Sequence, residues 1–171
     1  FESLGRRYPV TAGQMRALKI LVRIASSALE ATTLFSAVKS TEQRYRAAFE
    51  QAAVGMAEVD LDGRWRRVNQ KLCEMLGYSQ AEFLERTFQE MTHPDDLERC
   101  LACVQRLLNT ERQSVAEEKR YLCKNGSPLW VNISLSVVRD ATGAPSYLIA
   151  EIEDISERRK AHAALEATTA R

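Results

Sequence analysis

The sequence predicts an α+β domain: a five-stranded antiparallel sheet with short helices on one face and long helices at both ends. Three observations carry this. Residues 54–69 read as strand, turn, strand, with Asp62-Gly63 between two runs that contain apolar residues; glycine accepts the positive φ that a tight hairpin needs. Residues 113–123, 129–139 and 146–155 alternate in polarity as half-buried strands do. In the second of these, Val131, Ile133, Leu135 and Val137 share one face and Asn132, Ser134 and Ser136 the other. Residues 12–49 and 157–170 carry helical spacing instead.

At the start of the chain, a short polar lead ends at Pro9, and Thr11 can cap the helix predicted after it. Met15, Leu18, Val22, Ala25, Leu29 and Thr32 then fall on one seam at 3–4 spacing, and Ile20, Leu21, Ile24 and Ala28 widen the apolar arc. One seam suits a two-stranded coiled coil; the wider arc implies a further packing partner. Ser40-Thr41 fits either a helix break or a polar turn of a continuous helix. Tyr45 and Phe49, four apart, face one way in the segment leading to the first strand.

After the hairpin, Asn69 opens a helix over 70–76 that stops at Gly77, and Ser79 with Glu82 forms a capping box for the next. Pro94 fits the first turn of a longer helix, where its missing N–H costs nothing, and Asp95 and Asp96 lie at that helix's positive end. Leu97, Leu101, Val104, Leu107 and Leu108 form its expected buried stripe. In the last helix Ala161, Ala164, Leu165 and Thr168 make a thin seam.

Composition excludes several functions. A formal charge of +1 offers no electrostatic case for nucleic acid, and Arg64, Arg66 and Arg67 form only a short patch. No Gly-x-Ser-x-Gly or glycine-rich phosphate loop occurs, so no catalytic constellation is visible. Two histidines rule out a His-rich metal site. Cys100 and Cys103 have only Cys73, Cys123 or His93 as partners for a zinc ion, and buried free thiols are the favoured reading. With no secretory signal, four cysteines point to reduced thiols and a cytoplasmic setting. Lys19, Arg23 and Glu30 interrupt the longest apolar stretches, which argues against a membrane segment. Glu117, Glu118, Lys119 and Arg120 read as a solvated surface. A start at Phe1 and an end within a helix imply a piece of a longer protein.

The ordered set of motifs resembles the PAS family of sensory domains. The 54–69 hairpin with its two capped helices, His93 to Asp96 at a helix start, and Lys124-Asn125-Gly126 between long strands carry the resemblance. So do Leu129 to Val131 and Val138 to Asp140 at the two ends of one strand, and Asp154-Ile155-Ser156-Glu157, similar to the signature that closes many PAS domains and starts a signalling helix. The resemblance implies a helical linker over 1–41, a PAS domain over 42–156 and a signalling helix over 157–171. Residues 8–34 also resemble the last helix of a GAF domain.

What the resemblance implies for function is a sensor within a larger bacterial regulator, a histidine kinase or a cyclic-di-GMP synthase or hydrolase. A change in the pocket or at a homodimer contact would reach an attached output domain through the flanking helices, with Asp154, Ile155, Ser156 and Glu157 as the relay. The alternative is a ligand-free dimerisation and relay module. The pocket candidates are Val59, Leu72, Leu76, Tyr121, Val131, Ile133 and Ile152, apolar enough for a small apolar ligand, with Trp130 expected to face away. Phe88 stands where the light-sensing LOV branch has its reactive cysteine, and Tyr121, Val131 and Ile152 stand where it has flavin-binding amides, which argues against a LOV-type flavin. The 95–109 helix has no histidine. Haem ligation would fall to His93, whose place at a helix start argues against it.

Overall fold

The computed structural model describes residues 12–110 and 113–169; Thr11 lies outside them. In chain order the elements are α1 (Ala12–Glu50), β1 (Gly55–Val59), β2 (Trp65–Val68), α2 (Gln70–Leu76), α3 (Gln80–Leu84), α4 (Phe88–Met91), α5 (Pro94–Asn109), β3 (Ser114–Leu122), β4 (Pro128–Arg139), β5 (Pro145–Asp154) and α6 (Ser156–Thr169). The five strands form one antiparallel sheet in the order β2-β1-β5-β4-β3. The predicted fold class is therefore observed, with strand limits within a residue or so of those read from the alternation.

Two units divide between Arg46 and Ala47. The first is the bulk of α1. That helix runs unbroken through Ser40 and Thr41, and the hydroxyls of Thr32, Thr33 and Thr41 are satisfied within it by the carbonyls four residues earlier. Its large apolar side chains are exposed, Ile20 at 59% and Phe35 at 72%. The Lys19–Glu50 stretch reaches a mean hydropathy of 1.3 over 18 residues, long and apolar enough by composition alone to cross a membrane. Length and composition are the whole of that resemblance to a span; Lys19, Arg23 and Glu30 interrupt the stretch, and no strongly apolar span is present among the described residues.

In the second unit the hairpin closes on Gly63 at φ +96°. The Gly63 N–H donates to the Asp60 carbonyl and the Asp60 N–H to that of Arg64. A Cβ at Gly63 would collide with the Gln89 amide. Asn69 then ties four segments together. Its Oδ1 accepts the N–H groups of Met56 (2.9 Å) and Leu72 (3.0 Å), and its Nδ2 donates to the carbonyls of Phe49 and Val54, both at 3.0 Å. The side chain is fully buried and uses both its acceptor and its donors.

Helix α2 ends on Gly77 at φ +79°, and α3 and α4 each begin with a capping box, Ser79 with Glu82 and Thr87 with Glu90. The buried side of α5 is Asp96, Cys100, Cys103, Val104 and Leu107. Leu101, expected inside, is 38% exposed. The two cysteines take the inward positions as small apolar groups.

Candidate functional site

A cavity of about 30 Å3 lies between the sheet and the helices. Strand β3 contributes Val115, Glu117, Lys119 and Tyr121, alternate residues on one face. Trp65 of β2, Phe88 of α4 and Cys100, Cys103 and Val104 of α5 face them, with Val59, Ile133, Leu135, Leu148 and Ala150 from the other strands.

Of the residues anticipated for the pocket, Val59, Tyr121 and Ile133 line this cavity; Leu72, Leu76, Val131 and Ile152 do not. Those four are fully buried in filled core. Leu72 packs so tightly over Gly55 that a methyl group there would lie 2.9 Å from its Cδ1. Phe88, 7% exposed, forms part of the cavity wall. His93 caps α5, its Nδ1 accepting the Asp95 N–H at 3.3 Å, and it is not among the lining residues.

The charged run on β3 is the chief departure from the sequence reading. Only part of it is a solvated surface. Lys119 is 2% exposed, its Nζ donating to Thr92 Oγ1 at 3.1 Å and Cys100 Sγ at 2.9 Å. Burial works against the Lys119 ammonium, but the neighbouring Tyr121 and Cys100 groups and the Glu117 carboxylate on the same wall together outweigh it, and the lysine pKa is raised. Burial pushes the Cys100 thiol and the Tyr121 phenol up as well. Arg120 points the other way and pairs with Asp96, Nε to Oδ2 at 2.9 Å and Nη2 to Oδ1 at 3.0 Å, while its N–H also donates to Oδ2. This guanidinium holds the Asp96 carboxyl at about 2, against an ordinary 3.8.

Glu118 reaches α6 instead, accepting from Arg158 and Arg159 at 2.8 Å each. The Arg159 guanidinium lies over the Trp130 ring at 3.9 Å, and Trp130 is absent from the cavity wall. Among the anticipated relay residues, Ile155 is 1% exposed and its N–H donates to the Trp130 carbonyl at 3.0 Å. Asp154 Oδ1 accepts the Ser156 N–H at 2.8 Å, at the first residue of α6. Glu157 is exposed and pairs with Lys160. The reading from sequence missed Glu118, Arg158 and Arg159, whose contacts join residues forty apart.

A five-stranded antiparallel sheet, with small helices over a cavity on one side and a helix following its last strand in sequence, defines a class of small α+β modules. A family model for the PAS fold matches residues 66–151, and the chain belongs to the PAS family. The probable diguanylate cyclase DgcE of Escherichia coli K12 is 42% identical over 123 residues, 72% of this chain and 11% of that protein. The sensor histidine kinase TmoS of Ectopseudomonas mendocina is 28% identical over 129 residues, 75% of this chain and 13% of that protein. The chain thus spans only a small part of these relatives' length. Among solved structures, the PAS domain of an HTR-like protein from Haloarcula marismortui superposes with a TM-score of 0.61 at 25% identity, covering 72% of this chain and 99% of that one. The domain is a signal-transduction module of the PAS family.

Proposed function

We propose that this module passes a change at its cavity, or at a contact between two copies, through α6 to a covalently attached output domain. The output would be a histidine kinase or a cyclic-di-GMP synthase or hydrolase, in the cytoplasm. The observation carrying this is the clamp on α6: Glu118, one residue from the cavity lysine, holds both Arg158 and Arg159. A strand that grips the helix with one side chain and lines the cavity with the next couples the two by construction. The two copies would pair through α1 and α6; the exposed apolar side chains of α1 support this. The linker anticipated over residues 1–41, described from Ala12 onward as part of α1, then serves as a connector.

A bias of a few kcal/mol suffices to move such a two-state helix pair. The narrow cavity favours a second reading, a dimerisation and relay module without a ligand. Light scattering on the 171-residue chain tests the shared part of both. A dimer that Phe35→Glu weakens is expected, and a strict monomer at high concentration removes the helix relay. In the longer protein, Glu118→Gln and Asp154→Ala are expected to change output at constant input. Unchanged output in both would remove the coupling.

A further inference from the structure

We propose that the cavity binds a small monocarboxylate, of formate or acetate size, with the Lys119 ammonium as its counter-charge and the Trp65 Nε1–H as a second donor. The proposal deepens the sensory reading and rests on it for its regulatory consequence.

The first observation is the lysine. Both of its hydrogen-bond partners are side chains that carry no negative charge as a hydroxyl and a protonated thiol, and no carboxylate among the described residues lies within 4.0 Å of its nitrogen. An ammonium has three donors, so one is left over. Glu117 acts on the ammonium through space without pairing with it directly; a buried charge lacking a direct partner is costly, and a counter-ion in contact removes most of that cost. The Tyr121 and Phe88 rings, with centroids 4.5 and 5.2 Å from Nζ, attract the cation but do not replace an anion.

The second observation is independent. Trp65 lines the same cavity, is 3% exposed, and its Nε1–H is a buried donor without an acceptor among the described residues. Buried tryptophan N–H groups ordinarily find a partner. One anion would satisfy both defects.

Size and lining then narrow the class. A volume of about 30 Å3 accommodates a few non-hydrogen atoms and excludes ring systems and long chains. Val59, Ile133, Leu148 and Ala150 offer the ligand's other end an apolar surface that suits a hydrogen or a methyl group. Glu117, half-buried on the same wall, makes no ion pair with Lys119 and would repel a second negative charge on the ligand. The ligand is therefore a monoanion.

Titration calorimetry on the 171-residue chain, in a HEPES buffer free of chloride and of any other carboxylate, tests this. Formate and acetate should bind saturably and acetamide, the uncharged isostere of acetate, should not. Lys119→Met should still fold, because an apolar side chain replaces an unpaired buried charge, and should bind acetate at least about tenfold more weakly. Trp65→Phe, which keeps an aromatic ring at that wall, should weaken binding by a smaller factor. Absence of saturable heat, equal affinity for acetamide or chloride, or acetate binding unchanged by Lys119→Met would each overturn the assignment. Carboxylate binding that leaves output in the longer protein unchanged would sustain this inference and defeat the sensory reading; a working relay that no short carboxylate engages would do the reverse.

Discussion

The junction leading into the sheet and the junction leading out of it are built from opposite materials. The upstream one is Asn69, a neutral and fully buried amide whose four hydrogen bonds join Phe49, Val54, Met56 and Leu72. The downstream one is anchored at the buried Ile155, and past it the helix is held by Glu118 between Arg158 and Arg159, all three at least 41% exposed at the side chain. A buried neutral network is strong and insensitive to salt, because water cannot replace its partners. Exposed ion pairs are individually weak and screened by salt. The chain is thus fixed firmly where it enters the sheet, and past Ile155 its outgoing helix is held by exposed ion pairs, as the proposed relay requires.

Breaking the strong side should have the largest effect. Asn69→Ala strands two buried N–H groups and two carbonyls and removes the cap of α2. Urea unfolding should register a loss of about 3–5 kcal/mol. A loss below about 1 kcal/mol would show that solvent repairs the network and would erase the contrast.

Asp96→Asn is expected to be intermediate, at about 1.5–3 kcal/mol, since it leaves the half-buried Arg120 guanidinium without its bidentate partner. Acid should act at the same place. The Asp96 pKa in the folded protein, about 2, lies below the ordinary 3.8, so the pair's contribution is complete above about pH 4 and is lost as pH falls toward 2. An acid unfolding midpoint that Asp96→Asn does not shift would remove this assignment.

The smallest stability change belongs to the exit. Glu118→Gln should cost only about 0.2–1 kcal/mol, an effect that fades in high salt. Hydrogen exchange should nonetheless accelerate in the first turns of α6 while the sheet stays protected. If exchange quickens across the sheet to the same degree, exit and core are one cooperative unit, and the loose-exit picture fails.

Much of this architecture was legible in the sequence because its signals are local. Asp62-Gly63, Asn69, Gly77, Ser79 with Glu82, and Pro94 each act within a few residues, and the structure has a turn, cap or helix start at every one. The cavity was less legible. Residues 117–120 look solvent-exposed because they are charged, yet a strand has a period of two, and Lys119 must share the face of Tyr121. That spacing was the available signal. Nothing comparable marked Glu118, whose partners lie forty residues ahead, or the filling of the space around Leu72 by the close approach over Gly55. Side-chain packing between distant elements leaves no periodic trace.

The chain has two tryptophans, and the fold has put one at each end of the proposed signal path. Trp65 lines the cavity, and Trp130 lies beneath Arg159 in the first turn of the outgoing helix. Intrinsic fluorescence therefore offers two native reporters without a label. With each indole replaced in turn, the remaining emission would show separately when the interior is occupied and when the helix lets go, and the order of those two events could be timed in one stopped-flow trace per protein.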